Sequence, residues 1–301
     1  KKYKKLDSLI IQSENDIIFT EKNYLNYKSL KNLIIKTTKE IYLRNKFLNE
    51  DINLESINLD APKVIIGKNC FESLKFITNL TISGSDIKID SYAFINCSKL
   101  NQIVINSDSQ LIINNYCFAL CNNLNIIEFK SVDLIMKDYC FLNCTSIHLL
   151  YLSDFNKVSI GDYVFKGCIQ LFNINIKANE DFYAGKSCFR NLDNLSEIEI
   201  SSKKITIDDF CFAESKSITK IKIEEAKEIL FNNFAFYCCF NIRNINIAAE
   251  SQFTLGLSCF SKAKNLFNVS LSCQKIELKE NCFNNCSSLY SFTVGNTNEV
   301  Y

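Results

Sequence analysis

Apolar positions along this chain alternate between two spacings, and the alternation itself repeats. Around Phe141 the apolar residues are Leu134, Met136, Tyr139, Cys140, Phe141, Cys144, Ile147, Leu150 and Leu152. Leu134/Met136 and Leu150/Leu152 have the two-residue spacing of strands with one buried face, whereas Cys140, Phe141 and Cys144 share one face of a helical turn. The same frame returns at Phe71, Phe94, Phe118, Phe165, Phe189, Phe212, Phe236, Phe260 and Phe283, in steps of 23 or 24 residues, with weaker anchors at Tyr24 and Leu48. Each repeat is therefore predicted to run strand, turn, short α or 3₁₀ turn, strand. Four residues before the anchor stand Gly67, Asp90, Asn114, Gly161, Gly185, Asp208, Asn232 and Gly256. These types tolerate positive φ, which places the expected turn there.

One such unit carries a single line of apolar groups and cannot fold alone, so neighbouring units must stack and share a continuous core. The expected fold class is a repeat solenoid, mainly β with short helical turns, of about 12 repeats in a single domain over residues 1–301. A leading half-repeat (Leu6, Leu9, Ile11) falls in residues 1–23, and the lone proline, Pro62, falls in a loop between strands. The chain opens KKYKKL and stops at Tyr301 where another repeat would begin, which reads as a piece of a longer protein. Neither residues 1–6 nor residues 296–301 supply a polar cap, so both ends are expected to expose apolar edges.

Residues 160–176, IGDYVFKGCIQLFNINI, and residues 90–100, DSYAFINCSKL, carry the pattern I-G-x-x-A-F-x-x-C-x-x-L in recognisable form. Together with Leu100-x-x-Ile103-x-Ile105 and Leu171-x-x-Ile174-x-Ile176 they resemble the BspA-like, Treponema pallidum-type, leucine-rich repeat of bacteria and protists. That resemblance covers essentially the whole chain. It implies a horseshoe or right-handed superhelix whose second strands line the concave side, and a surface adhesin that binds host, matrix or cell-surface proteins. The asparagine that many leucine-rich repeats place after the strand does not recur: Ser85, Asp108, Val132, Phe155 and Asn179 occupy that position, so no asparagine ladder is expected.

With 47% hydrophobic residues, 22% charged and a net charge of +1, the chain has no global preference for nucleic acid or anionic membrane. No apolar run approaches the roughly 18 residues of a spanning helix. The family resemblance points to the cell surface or secretion. The cytoplasm is the alternative, because the cysteines look reduced and no signal peptide opens the sequence. Six Asn-x-Ser/Thr triplets begin at Asn79, Asn96, Asn143, Asn194, Asn268 and Asn285; they are glycan acceptors only in a secreted chain.

Fifteen cysteines raise the question of disulfides or zinc. Most recur in two slots, directly before the anchor (Cys117, Cys140, Cys211) or three after it (Cys121, Cys144, Cys239), which other repeats fill with Ala93, Val164 or Leu192. The slots ask for a compact buried apolar group, which a free thiol supplies. Occasional bridges between stacked repeats are the alternative. Cys238 and Cys273 stand outside both slots and are expected to be more accessible. No zinc spacing is present, and His148 is the single histidine. A Cys-His or Ser-His nucleophile would depend on His148, which precedes a strand and has no recurring acid to orient it. No catalytic residue, metal, cofactor or small-molecule substrate is predicted. Glu197 and Glu199 should face Lys220 and Lys222 across adjacent strands as a charge ladder.

Between the core positions of each second strand, side chains must point outward. Most repeats place polar residues there, such as Asn79 and Thr81, Asn173 and Asn175, or Asn244 and Asn246. Val104, Ile126, Leu149 and Tyr151 do not follow that rule, and with His148 and Phe172 beside them and Glu128 at the rim they form the candidate partner-binding run. The bland alternative is that they are ordinary strand-forming residues of an Ile-rich chain or are covered by an N- or C-terminal extension. The functional expectation is a non-enzymatic protein-binding module of adhesin type, with an intracellular structural scaffold as the alternative.

Overall fold

A computed structural model describes residues 6–19, 28–48, 51–295 and 299–300, so the Tyr24 anchor and nearly all of both terminal segments lie outside the described residues. The chain winds as a parallel-strand β-solenoid of about 12 turns, the leucine-rich repeat fold, with no helix among the described residues. It divides into two compact units, Lys1–Ile147 and His148–Tyr301.

In the first unit the second strands, Ser8–Ser13, Asn32–Thr37, Ser56–Asp60, Asn79–Gly84, Gln102–Ser107 and Ile126–Lys130, form one parallel sheet in chain order. The first strands, from Ile17–Phe19 through Lys63–Ile66 and Gln110–Ile113 to Asp133–Met136, pair in the same order. Like residues face like: Leu80 pairs with Ile103, and Ile82 with Ile105. The in-register stacking follows from the constant period, since a one-residue slip would turn every core side chain outward.

The second unit opens differently. Leu149–Ile160 and Asn173–Ala184 each run through both strand positions without a break, with register shifts between Leu152 and Phe155 and between Phe155 and Lys157. Phe155 is fully buried at that corner. Later repeats separate again into Glu197–Ser201 and Lys204–Ile207, then Lys220–Glu224 and Glu228–Phe231.

The anchor segments depart from the single helical turn their spacing predicts. At Phe94 the N–H groups of Ala93, Ile95 and Cys97 donate to the carbonyls three residues back, Asp90, Tyr92 and Phe94, at 3.2–3.3 Å. The intervening N–H groups of Tyr92, Phe94 and Asn96 donate instead to Asn115, Cys117 and Ala119 of the following repeat at 2.8–3.0 Å. Phe210, Phe212 and Glu214 repeat this in the second unit, donating to Asn233, Ala235 and Tyr237. Half the amides are thus committed across the stack, and a helix cannot satisfy that demand. Linked β-turns can, provided that the residues two before and two after the anchor adopt positive φ, as Tyr92 (62°), Asn96 (60°), Phe210 (58°) and Glu214 (63°) do.

Positive φ therefore does not fall four residues before the anchor, where the sequence places it. Glycine serves there for close approach: a Cβ on Gly256 would lie 2.5 Å from the Asn232 carbonyl carbon, and one on Gly185 would lie 2.7 Å from that of Gly161. Asp90 and Asp208 at the same step instead accept the N–H of the next residue at 2.8 Å.

Inside the turns the phenylalanines form a column. Rings of Phe71, Phe94, Phe118 and Phe141 stack at 4.9–5.5 Å in the first unit, and those of Phe165, Phe189, Phe212, Phe236 and Phe260 at 4.9–5.1 Å in the second. All nine are fully buried, whereas Phe283 is half-buried. Leu48 holds the anchor's backbone place, donating its N–H to Cys70, but Phe47 supplies the ring that meets Phe71. Ile127 and Phe129, which stand at the strand positions that Leu150 and Leu152 fill around Phe141, are only half-buried.

The cysteine slots are more specific than a demand for bulk. Three residues after the anchor, five thiols donate to the carbonyl of the preceding anchor: Cys97 to Phe71, Cys121 to Phe94, Cys144 to Phe118, Cys239 to Phe212 and Cys286 to Phe260, at 3.1–3.3 Å. Ser215 makes the same bond to Phe189 at 2.9 Å. The slot favours a small group that is mostly apolar yet can donate once, which describes a thiol. All fifteen cysteines are free thiols; Cys238 is half-buried as expected, but Cys273 is buried and Cys286 takes its place as the second partly accessible one.

Candidate partner-binding face

Strand alternation sets which side chains face outward, and the constant register sets which of them are neighbours. In the second unit Leu150, Leu152, Ile174, Ile176, Ile198 and Ile200 point into the core. The residues between them form two outward rows. One runs Leu149, Asn173, Glu197, Lys220 and the other Tyr151, Asn175, Glu199, Lys222, each residue directly opposite the next.

Chemistry along these rows changes in steps. Leu149 and Tyr151 are 48% and 54% exposed, and Phe172, just before its strand, is 47% exposed. His148 is also exposed, and its carbonyl accepts the Phe172 N–H at 2.9 Å, which fixes the two residues side by side. The amides come next: Asn173 donates to Glu197 at 3.4 Å and Asn175 to Glu199 at 3.2 Å. The Asn175 Oδ1 is buried without a donor among the described residues. Beyond them Lys220 pairs with Glu197 at 3.7 Å and Lys222 with Glu199 at 2.9 Å, the expected charge ladder. The Lys222 hydrogen bond holds the Glu199 carboxyl below the usual range, and Glu224 and Glu199 together hold the Lys222 ammonium above its own. This segment is internally neutralised.

The predicted run divides at Ile147/His148 into a pair in the first unit and a quartet in the second. Within the first unit the register keeps Val104 and Ile126 from facing one another. Ile126, 39% exposed, lies opposite Gln102, and the half-buried Val104 lies between Thr81 and Glu128. They are diagonal neighbours at best, because the period of 24 between Phe94 and Phe118 pairs residues 24 apart, not 22. In the second unit His148, Leu149, Tyr151 and Phe172 are brought together. All six glycosylation triplets present an exposed asparagine; Asn96, Asn143 and Asn285 adopt positive φ. No group of three or more His, Cys, Asp and Glu residues suited to a metal occurs among the described residues.

A second aromatic feature escapes the sequence reading. Tyr92, Tyr116 and Tyr139, two before successive anchors, stack at 4.7–5.1 Å with ring planes within 4°, and Phe210 stacks on Phe234 at 4.8 Å. Lys68, Lys166 and Arg190 lie over Tyr92, Tyr163 and Phe210 at 5.3–5.5 Å. The signal is the recurrence of Tyr or Phe two before the anchor, which explains how bulky residues are held at positive φ: each of the five stacked rings has a neighbour one repeat away.

The family description that fits this chain is the BspA type leucine-rich repeat region in six copies, matched over residues 2–112, 87–184 and 182–301. Among solved structures the chain is similar to a leucine-rich repeat protein from Bacteroides ovatus, at 19% identity, with 98% of this chain and 87% of that one covered and a TM-score of 0.46. It is also similar to a leucine-rich cell surface protein from Faecalibacterium prausnitzii, at 14% identity, with 96% and 88% covered and a TM-score of 0.35. No curated protein matches. Leucine-rich repeats of this kind are generally non-enzymatic binding modules, and no catalytic family is indicated. The repeat frame, its parallel stacking and the match over nearly its whole length make this chain a member of the BspA-type leucine-rich repeat family.

Proposed function

We propose that the chain is a protein-binding module of adhesin type, displayed at a cell surface, that holds its partner on the outward rows of the second strands. The observation that carries this reading is the exposed quartet His148, Leu149, Tyr151 and Phe172, adjoining a band of amides and neutralised charge. Binding energy concentrates where aromatic and aliphatic anchors are desolvated inside a polar rim, and this end of the face has both. Val104 and Ile126 are a separate outward apolar pair within the first unit, offered as a partner contact of that unit alone. The buried thiols are compatible with it, because groups so enclosed are shielded from oxidants.

A photo-crosslinking side chain placed at Tyr151 tests the reading against one placed at Leu230, an exposed apolar residue on a first strand of the same unit. Crosslinking of a bound host or matrix protein should occur at position 151 and not at 230. Crosslinking at 230 alone would contradict the assignment of the face.

A further inference from the structure

On the turn side of the second unit, three consecutive repeats contribute the residues two and four after their anchors to an open groove of about 470 Å³ lined by Cys238, Phe240, Lys262, Lys264, Asn285 and Ser287. Its charge sets it apart from the repeats before it. There, Arg190 pairs with Glu214 at 2.8 Å and Lys216 with Asp193 at 3.6 Å, so the turn residues neutralise one another across the stack. No carboxylate lines this groove, and among the described residues none lies within ion-pair distance of Lys262 or Lys264.

Both lysines are nevertheless held in place. Lys262 Nζ donates to the Tyr237 hydroxyl at 2.6 Å, 5.0 Å from that ring's centroid, and Lys264 lies over the Phe240 ring at 5.3 Å. The Tyr237 hydrogen bond raises the Lys262 pKa, so that ammonium stays charged. Two positioned cations without counter-charge favour an anion. The Phe240 ring is covered on one face by the Lys264 ammonium, and the open groove offers no deep apolar hole for a hydrophobic side chain. What remains is the edge of Phe240, the Asn285 amide and the Ser287 hydroxyl, a set that suits a ring bearing hydroxyl groups. The volume is that of a small-ligand site.

We propose that this groove binds an acidic saccharide unit, with its carboxylate or sulfate on Lys262 and Lys264 and its hydroxyl groups on Asn285 and Ser287. The site lies on the turns and does not depend on the strand face described above. Cys238, half-buried at its wall, is a built-in reporter of occupancy.

The test measures binding of a heparin hexasaccharide, its desulfated and carboxyl-reduced counterpart, and a glutamate hexapeptide to the full chain, alongside the alkylation rate of Cys238 by peptide mapping. The heparin hexasaccharide should bind and slow Cys238 alkylation, whereas the neutral sugar should do neither. Lys262→Gln with Lys264→Gln should weaken binding at least about tenfold and abolish the protection, and Asn285→Gly with Ser287→Ala should weaken it several-fold without changing its salt dependence. Circular dichroism of each variant confirms the fold. Failure of the heparin hexasaccharide to bind, or binding unchanged by the double lysine variant, would overturn the site. Equal binding of the glutamate hexapeptide would overturn its assignment to a saccharide.

Discussion

The two sides of the same strands in the second unit obey different rules. Inward, Leu150, Ile174, Ile198 and Ile221 are interchangeable aliphatics, because every repeat must fill the same space against the same phenylalanine column. Outward, the matched positions read Leu149, Asn173, Glu197, Lys220, with no two alike. A stack needs sameness only where it packs. Outward variety is free to encode recognition, and the step from apolar to amide to charge is where the face acquires a direction.

The largest effect should come from breaking the inward side. Phe212→Ala removes a fully buried ring stacked between Phe189 and Phe236 and should cost about 3–5 kcal/mol. In a stack the loss should appear as faster hydrogen exchange in the neighbouring repeats, rather than evenly along the chain.

The thiols give the inward side a pH dependence. Burial pushes Cys97 up to about 12 and Cys286 to about 11, from an ordinary thiol value near 9. A pKa raised in the folded state favours folding fully below the unfolded value and less as pH climbs through the folded one. Denaturant midpoints should therefore be insensitive to these groups below pH 9 and fall as the pH rises towards 11–12. A thiol-to-serine variant set that leaves that alkaline decline unchanged would contradict the attribution.

A smaller effect sharpens the reading of the slot. Burying a hydroxyl in place of a thiol ordinarily costs a few kcal/mol when it finds no acceptor. Cys239→Ser should cost less than about 1 kcal/mol, because the Phe212 carbonyl is placed to accept from it, as the Phe189 carbonyl accepts from Ser215. Equilibrium unfolding of this one variant decides it. Smallest of all, Glu197→Gln with Lys220→Gln should shift stability by less than about 1 kcal/mol, since the pair is half-exposed and 3.7 Å apart.

Much of this was legible in the residues, and the reason is the period. Anchors, strand pairs, register and the Glu197/Lys220 ladder all follow from a constant step and alternation. Other features depend on hydrogen bonds between repeats, which no spacing within one repeat reveals. The turn at Cys140, Phe141 and Cys144 has helical spacing, but its alternate amides belong to the neighbouring repeat. Positive φ settles on Tyr92 and Phe210, residue types that local preference disfavours there, because stacking across repeats holds them. Likewise Val104 and Ile126 share outwardness but not a row, since register and not sequence distance decides facing. The groove at Lys262 and Lys264 is read only from which cations the stack leaves without acids.

The central claim is that fold and recognition are separable on opposite sides of these strands, and one binding isotherm tests it most directly. Leu149→Asp with Tyr151→Ser changes two exposed side chains and no core residue. With circular dichroism and hydrogen exchange matching the parent chain, the double variant should lose its protein partner while Glu197→Gln with Lys220→Gln retains it. Undiminished binding by the folded Leu149→Asp, Tyr151→Ser chain would contradict the account.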